Sequence, residues 1–145
     1  MSGISAVAEV EIDAPQNDVW IALTDPEMIQ KYMFGSVVET DWKPGSSIVW
    51  KGEWNGKPFE DKGEVLEVQP PTHMKLTHFS PMSGADDSPE NYHTLEYELS
   101  EQNGSTLLRL TQDGNSTEQE AKHSKQNWES MLNLLKGVVE ARRSS

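Results

Sequence analysis

The feature that most restricts how this chain can fold is its final amphipathic segment. Thr117-Glu118-Gln119-Glu120 is a capping-box pattern, in which the threonine side chain takes the Glu120 N–H and the glutamate side chain takes the Thr117 N–H. After it, Trp128, Met131, Leu132, Leu135, Val138 and Val139 fall on one face at helical spacing. Arg142 and Arg143 follow where a helix dipole favours cations. The pattern predicts a helix of about 25 residues, the longest element in the chain. So long an apolar stripe needs a surface of matching length to cover it.

The residues before it read as that surface, an antiparallel sheet running from Phe34 to about Asp113. "SSIVWKGEW" leads into Asn55-Gly56, and "YELSEQNGSTLLRL" contains Asn103-Gly104; Asn-Gly accepts the positive φ values that two-residue hairpin turns demand. "GEVLEVQ" and "HMKLTHF" flank Pro70-Pro71-Thr72, where prolines suit a turn and would break a ladder. At the N-terminal end, Ala6, Ala8, Val10 and Ile12 alternate with Val7, Glu9, Glu11 and Asp13, the period of a half-buried strand. Two helices separate this strand from the rest. Pro15 fits a first helical position ahead of Val19, Trp20 and Leu23. Asp25 then caps a second helix with Pro26 at its first position. The second helix is only about two turns long and carries Met28, Ile29, Tyr32 and Met33. Strand, two short helices, about six further strands and a long helix make a two-layer α+β domain, its sheet of about six to seven strands curling around the C-terminal helix.

Composition narrows the function classes. The chain has 145 residues, the usual size of one domain, and no repeat or linker divides residues 1–145. Twelve Lys and Arg against 24 Asp and Glu give a net charge of -12, which repels nucleic-acid backbones and anionic membrane surfaces. The absence of cysteine removes disulfides, thiolate nucleophiles and Cys-based zinc sites. "MSGISAVAEVEIDA" has neither the basic nor the apolar region of a secretion signal, and no run is long enough to insert in a membrane. A soluble, cytoplasmic protein is expected.

The ordered set "VEIDAPQNDVWIALTDPEMIQKYM", "WKPGSSIVW", "GEVLEVQPPTHMKLTHF" and the Trp128 helix resembles the START-like helix-grip (SRPBCC) superfamily, in the branch related to the activator of Hsp90 ATPase. The resemblance runs from about Ala8 to Glu140. It implies a helix-grip fold with a cavity between sheet and C-terminal helix, its mouth edged by the short second helix, so that Met28, Tyr32 and Met33 either form an apolar lip or plug one end of the core. Three positions depart from the family pattern: Tyr32 stands where a Trp is common, Asn127 where a Gly often precedes the helix Trp, and Ser46 where a second Gly follows the "PG" turn.

Strand parity independently selects inward-facing residues. If Leu95, Tyr97 and Leu99 face the helix, so does His93; Leu108 and Leu110 bring Gln112, and Met74 and Leu76 bring His78. Counting back across Pro70-Pro71 adds Val68, Leu66 and Glu64. Ile48, Trp50, Gly52 and Trp54 share a face, but a strict two-residue turn at Asn55-Gly56 sets Trp50 opposite Asp61. A one-residue bulge at Gly52 or Gly63 would reconcile this face with Leu66 and Val68 and is the expectation; without it Glu64 leaves the group. Trp50 and Trp54 would then line the cavity. Facing outward instead, they would form an exposed apolar patch and a partner site.

His78, His93, Gln112 and Glu64 are thus a polar group on an apolar surface. They can be hydrogen-bonded lining, anchors for a ligand, or an acid–base pair; a metal would need Glu64 as third ligand, and no metal or other cofactor is expected. Trp128 packs on the helix stripe or lines the cavity, while His73 and His123 read as surface residues. No G-x-S-x-G, H-E-x-x-H, phosphate-binding glycine loop or dinucleotide fingerprint is present, so no catalytic residue is assigned. "SPMSGADDSPEN" reads as a mobile loop over the cavity mouth or as solvated surface.

The first functional reading is non-catalytic binding of a small, largely hydrophobic molecule of lipid, polyketide or flavonoid-like class. Met28, Tyr32, Met33, Trp50, Trp54, His78, His93, Tyr97, Gln112 and Trp128 would contact it. The second, implied by the resemblance, is a stress-related protein that contacts an Hsp90-type chaperone; such co-chaperones usually carry an additional N-terminal domain, for which this length leaves no room. The third is a cavity enzyme, a cyclase or hydrolase using His78 and His93. A monomer or a weak homodimer is expected.

Overall fold

The computed structural model describes residues 4–33, 35–54, 56–80, 86–88, 91–115 and 117–144. Strand β1 spans Ile4–Ile12, helices α1 and α2 span Gln16–Thr24 and Pro26–Tyr32, and β2 (Val37–Thr40) opens the remaining strands. These are β3 (Ser47–Trp54), β4 (Lys57–Gln69), β5 (His73–His78), β6 (His93–Gln102) and β7 (Ser105–Asn115), followed by α3 (Glu118–Ser144). Every pairing is antiparallel, and the seven strands form one sheet in the order β1-β7-β6-β5-β4-β3-β2. This is the helix-grip architecture expected from the sequence. Among the described residues, no helix is long and apolar enough to cross a membrane.

Local chemistry sets the element ends. Asp25 accepts the Glu27 N–H at 3.0 Å and Pro26 opens α2, so the chain stops one helix and starts another within a single residue. Pro15 is the N-cap of α1 and not its first helical residue. Thr117 accepts the Glu120 N–H at 3.0 Å, as the capping box requires. Pro70 and Pro71, joined by a cis bond, turn β4 into β5. The two short helices bridge the width of the sheet, since β1 and β2 lie at its opposite edges and α1 and α2 carry the chain from one edge to the other.

The core is the contact between the inner sheet face and α3. Leu132 and Leu135 are fully buried, with Met131 and Val139 close behind, and they meet Leu108 and Leu110 of β7 and Leu95 of β6 in one cluster. Burying each such side chain contributes about 1.5–3 kcal/mol. Parity holds for Met74, Leu76, Leu95, Tyr97, Leu99, Leu108, Leu110 and Gln112, all buried.

One parity expectation is corrected. No bulge occurs at Gly52 or Gly63: β3 and β4 pair without interruption from Trp54↔Lys57 to Ser47↔Glu64, which puts Trp50 opposite Asp61. The extra residue enters two positions later, between Val65 and Glu67 in the β4–β5 ladder. The inner face of β4 therefore runs Asp61, Gly63, Val65 and then Val68. Val65 is fully buried and Val68 packs against the core, while Leu66 is 37% exposed and Glu64 faces solvent. Glu64 leaves the polar group and Asp61 joins it.

Candidate functional site

With that register, β4 delivers a carboxylate to the inner face beside an imidazole from β5. The ladder is framed by Val65↔Leu76 and the bridge Lys62↔Phe79, so Gly63 stands opposite His78. A Cβ at Gly63 would lie 1.8 Å from the Thr77 carbonyl oxygen; only glycine lets the two backbones approach so closely there. Asp61, two residues earlier on the same face, then reaches His78: Nε2 of His78 donates to Oδ2 of Asp61 at 3.0 Å. Trp50 packs edge-on against the His78 ring, centroids 5.1 Å apart at 65°. Asp61 Oδ1 is buried and has no hydrogen-bond partner among the described residues.

These side chains border a cavity of about 330 Å³ between the sheet and α3. Of the residues expected there, Met33, Trp50, His78, Gln112 and Trp128 line it. Gln112 Oε1 accepts the Trp128 indole N–H at 2.7 Å, tying β7 to the helix. Its Nε2 makes no hydrogen bond among the described residues, and Gln112 is only 7% exposed. One turn earlier on α3, Ser124 Oγ donates to Asn115 Oδ1 at 3.0 Å and also borders the cavity.

The remaining candidates lie elsewhere. Tyr32 is core, its hydroxyl donating to Ala22 O at 2.8 Å; burial, with Tyr97 adding to it, holds that hydroxyl well above the ordinary tyrosine pKa. Tyr97 is buried too, and its pKa is raised by burial. Met28 packs beside Asp18, Val139 and Arg142 around a separate hollow of about 220 Å³, with Arg142 Nη1 3.8 Å from its sulfur. The short helix thus plugs the core with Met28, Ile29 and Tyr32, and only Met33 reaches the cavity. His93 does pair with His78 across the β5–β6 ladder, but it is not a cavity wall. Its Nδ1 lies 2.8 Å from Asp113 O; a carbonyl only accepts, so Nδ1 carries the proton. The Trp54 side chain and Asn55 lie outside the described residues.

Phe59, Asp61, Ser36, Asn127 and Met131 line the cavity without having been expected there. Phe59 and Asp61 were accessible from the strict Asn55-Gly56 turn, which pairs Gly52 with Phe59 and Trp50 with Asp61. Residues 81–85 and 89–90 of the long loop lie outside the described residues. Asp87 is held by an ion pair with Lys62 and by the Tyr92 hydroxyl at 2.6 Å, while Tyr92 stacks on Phe79. Among the described residues, no three His, Asp or Glu side chains gather as a metal site. The arrangement offers apolar aromatic walls, one imidazole–carboxylate pair and one amide.

The family described as Activator of Hsp90 ATPase homolog 1-like protein matches residues 13–140. No curated protein matches the chain. The solution structure of ChR145 from Cytophaga hutchinsonii is 46% identical, with a TM-score of 0.86 over 100% of this chain and 99% of that one. The Aha1 dimer from Colwellia psychrerythraea is 21% identical, with a TM-score of 0.73 over 94% and 96% of the two chains. DynU16, from the dynemicin biosynthetic locus, is 18% identical, with a TM-score of 0.78 over 94% of this chain and 47% of that one.

Proposed function

Because the chain belongs to the Activator of Hsp90 ATPase homolog 1-like family within the START-like helix-grip proteins, we propose that it is a non-catalytic binding module for a small, largely apolar molecule. The observation that carries this reading is the cavity of about 330 Å³, walled by Trp50, Phe59, Trp128, Met33 and Met131, on which His78, Asp61 and Gln112 converge. A mostly apolar pocket with a few placed polar groups is the usual form of a small-molecule site. Likeness to DynU16 at 18% identity speaks for the fold alone, so the cavity itself supports the ligand.

The test is an amide NMR titration of labelled protein with a panel of lipophilic compounds. Saturable shifts centred on Met33, Trp50, His78, Gln112 and Trp128 are expected. A well-dispersed spectrum that no compound disturbs would remove the reading.

The family description favours a second reading, contact with an Hsp90-type chaperone. Co-purification with that chaperone from cell extract, lost when the sheet or helix surface is altered and kept when the cavity is filled, is its expected signature. The enzyme reading with a His78/His93 pair has less support, since only His78 borders the cavity.

A further inference from the structure

The chain contains no cysteine, so its only sulfur is the thioether of its six methionines. Met28, Met33, Met74 and Met131 fall among the described residues, whereas Met1 and Met82 lie outside them. Met28, Met74 and Met131 are buried, and Met28 has Arg142 Nη1 3.8 Å from its sulfur. Met33 alone of these four is partly exposed, while still packing against the core and lining the cavity. Its backbone closes α2, the N–H donating to Ile29 O at 2.9 Å. A fixed helix end thus holds a flexible, polarizable side chain where solvent and cavity meet.

We propose that Met33 is a redox-sensitive modification site: a hydroperoxide oxidises its sulfur to the sulfoxide, and the change weakens uptake of an apolar molecule by the cavity. This rests on the cavity-binding reading and adds its regulation. The step balances within its two reactants. A sulfur lone pair attacks one peroxide oxygen, and the O–O bond breaks as the S–O bond forms. The departing oxygen takes the proton of the transferred one and leaves as water, or as an alcohol from an organic peroxide. Sulfur gives up two electrons and the peroxide gains them. The product is a polar, chiral group in place of an apolar one. Turned inward, its oxygen stands among Phe59, Trp128 and Met131; turned outward, it withdraws the apolar wall that the end of α2 supplies. Both orientations cost an apolar ligand its fit. A dithiol reverses the step, becoming a disulfide as the oxygen leaves in water. With no cysteine the chain cannot supply that dithiol, so a methionine sulfoxide reductase must act on it.

The experiment titrates the protein with N-phenylnaphthylamine, whose fluorescence rises on leaving water, before and after graded hydrogen peroxide. Oxidation at each methionine is read by peptide mass spectrometry. Met33 should oxidise about tenfold faster than Met28, Met74 and Met131, whose sulfurs are reached only through local opening. Saturating N-phenylnaphthylamine should slow the reaction at Met33. Conversion of Met33 should weaken binding about tenfold, and a methionine sulfoxide reductase with dithiothreitol should restore it. In Met33→Leu the ratio of affinities before and after peroxide should be about one, whatever the substitution does to the starting affinity. Equal oxidation rates at the four positions, unchanged affinity once Met33 is oxidised, or the same loss in Met33→Leu as in the wild type would overturn the assignment and leave the cavity reading standing. Absence of uptake by the untreated protein would remove both.

Discussion

Replacing Gly63 with alanine adds one methyl group, yet the register around it makes that methyl costly. Gly63 does not need positive φ, so the backbone itself accepts alanine. The obstacle is the partner strand: the new Cβ would meet Thr77 O at 1.8 Å, Thr77 C at 2.6 Å and His78 N at 3.2 Å. These are backbone atoms, so β4 and β5 must part locally by more than about 1 Å. Three hydrogen bonds depend on that spacing, Lys62 N to Phe79 O at 3.0 Å, Phe79 N to Lys62 O at 2.7 Å, and Glu64 N to Thr77 Oγ1 at 2.9 Å. At about 1 kcal/mol net each, their loss amounts to about 3 kcal/mol. With a urea m-value of about 2 kcal/mol/M, the unfolding midpoint should fall by about 1.5 M. Gly137→Ala is the control, because nothing lies within 4 Å of its Cβ position in α3. Helix propensity alone should then raise the midpoint by about 0.5 M. If Gly63→Ala unfolds at the wild-type midpoint, the close approach of the two strands is wrong, and the Asp61–His78 pairing built on it goes too.

Two more outcomes follow from burial and capping. Tyr32 and Tyr97 are held above the ordinary tyrosine pKa of 10.0 by burial, so above that pH the unfolded chain releases protons that the folded chain keeps. Their contribution is complete below about pH 10 and is lost as the pH rises beyond it; urea midpoints should decline there, and less steeply in the double variant Tyr32→Phe/Tyr97→Phe. Identical slopes for the two proteins would contradict the burial of these hydroxyls. Thr117→Ala removes the acceptor for the Glu120 N–H and should lower stability by about 1 kcal/mol, measured by thermal unfolding; Thr117→Ser, which keeps the hydroxyl, should recover most of it.

The parts of the fold that local chemistry dictates were readable in advance. Asp25-Pro26 announces the break between α1 and α2, the capping box announces α3, and alternation names Met74, Leu76, Leu95, Leu108 and Leu110 as inward. The site was half legible for the same reason, since Gln112 and His78 inherit their direction from those apolar neighbours. Asp61 followed only from the strict Asn55-Gly56 register, because its direction depends on where along β4 one extra residue enters. Nothing in "GEVLEVQ" marks the bulge between Val65 and Glu67. His93 illustrates the opposite error. Its position across from His78 was right, but pairing on a ladder does not guarantee a shared cavity when Asp113 O binds the ring.

The sheet order has a consequence for how the chain is made. Strand β1 is synthesised before β2 to β7, yet its sheet neighbour among the described residues is β7. The contacts that seat it span most of the sequence: Arg109 to Glu9, Thr106 Oγ1 to Ala14 O, and Asp13 N to Glu140 in α3. On the ribosome, the β3–β4, β4–β5 and β6–β7 hairpins can zip as they emerge, while Ile4–Ile12 waits unpaired until Ser105–Asn115 has left the exit tunnel. Strand β1 therefore docks later than strands made after it, and a nascent chain stalled before β7 holds an open edge on β6 and an unpaired β1.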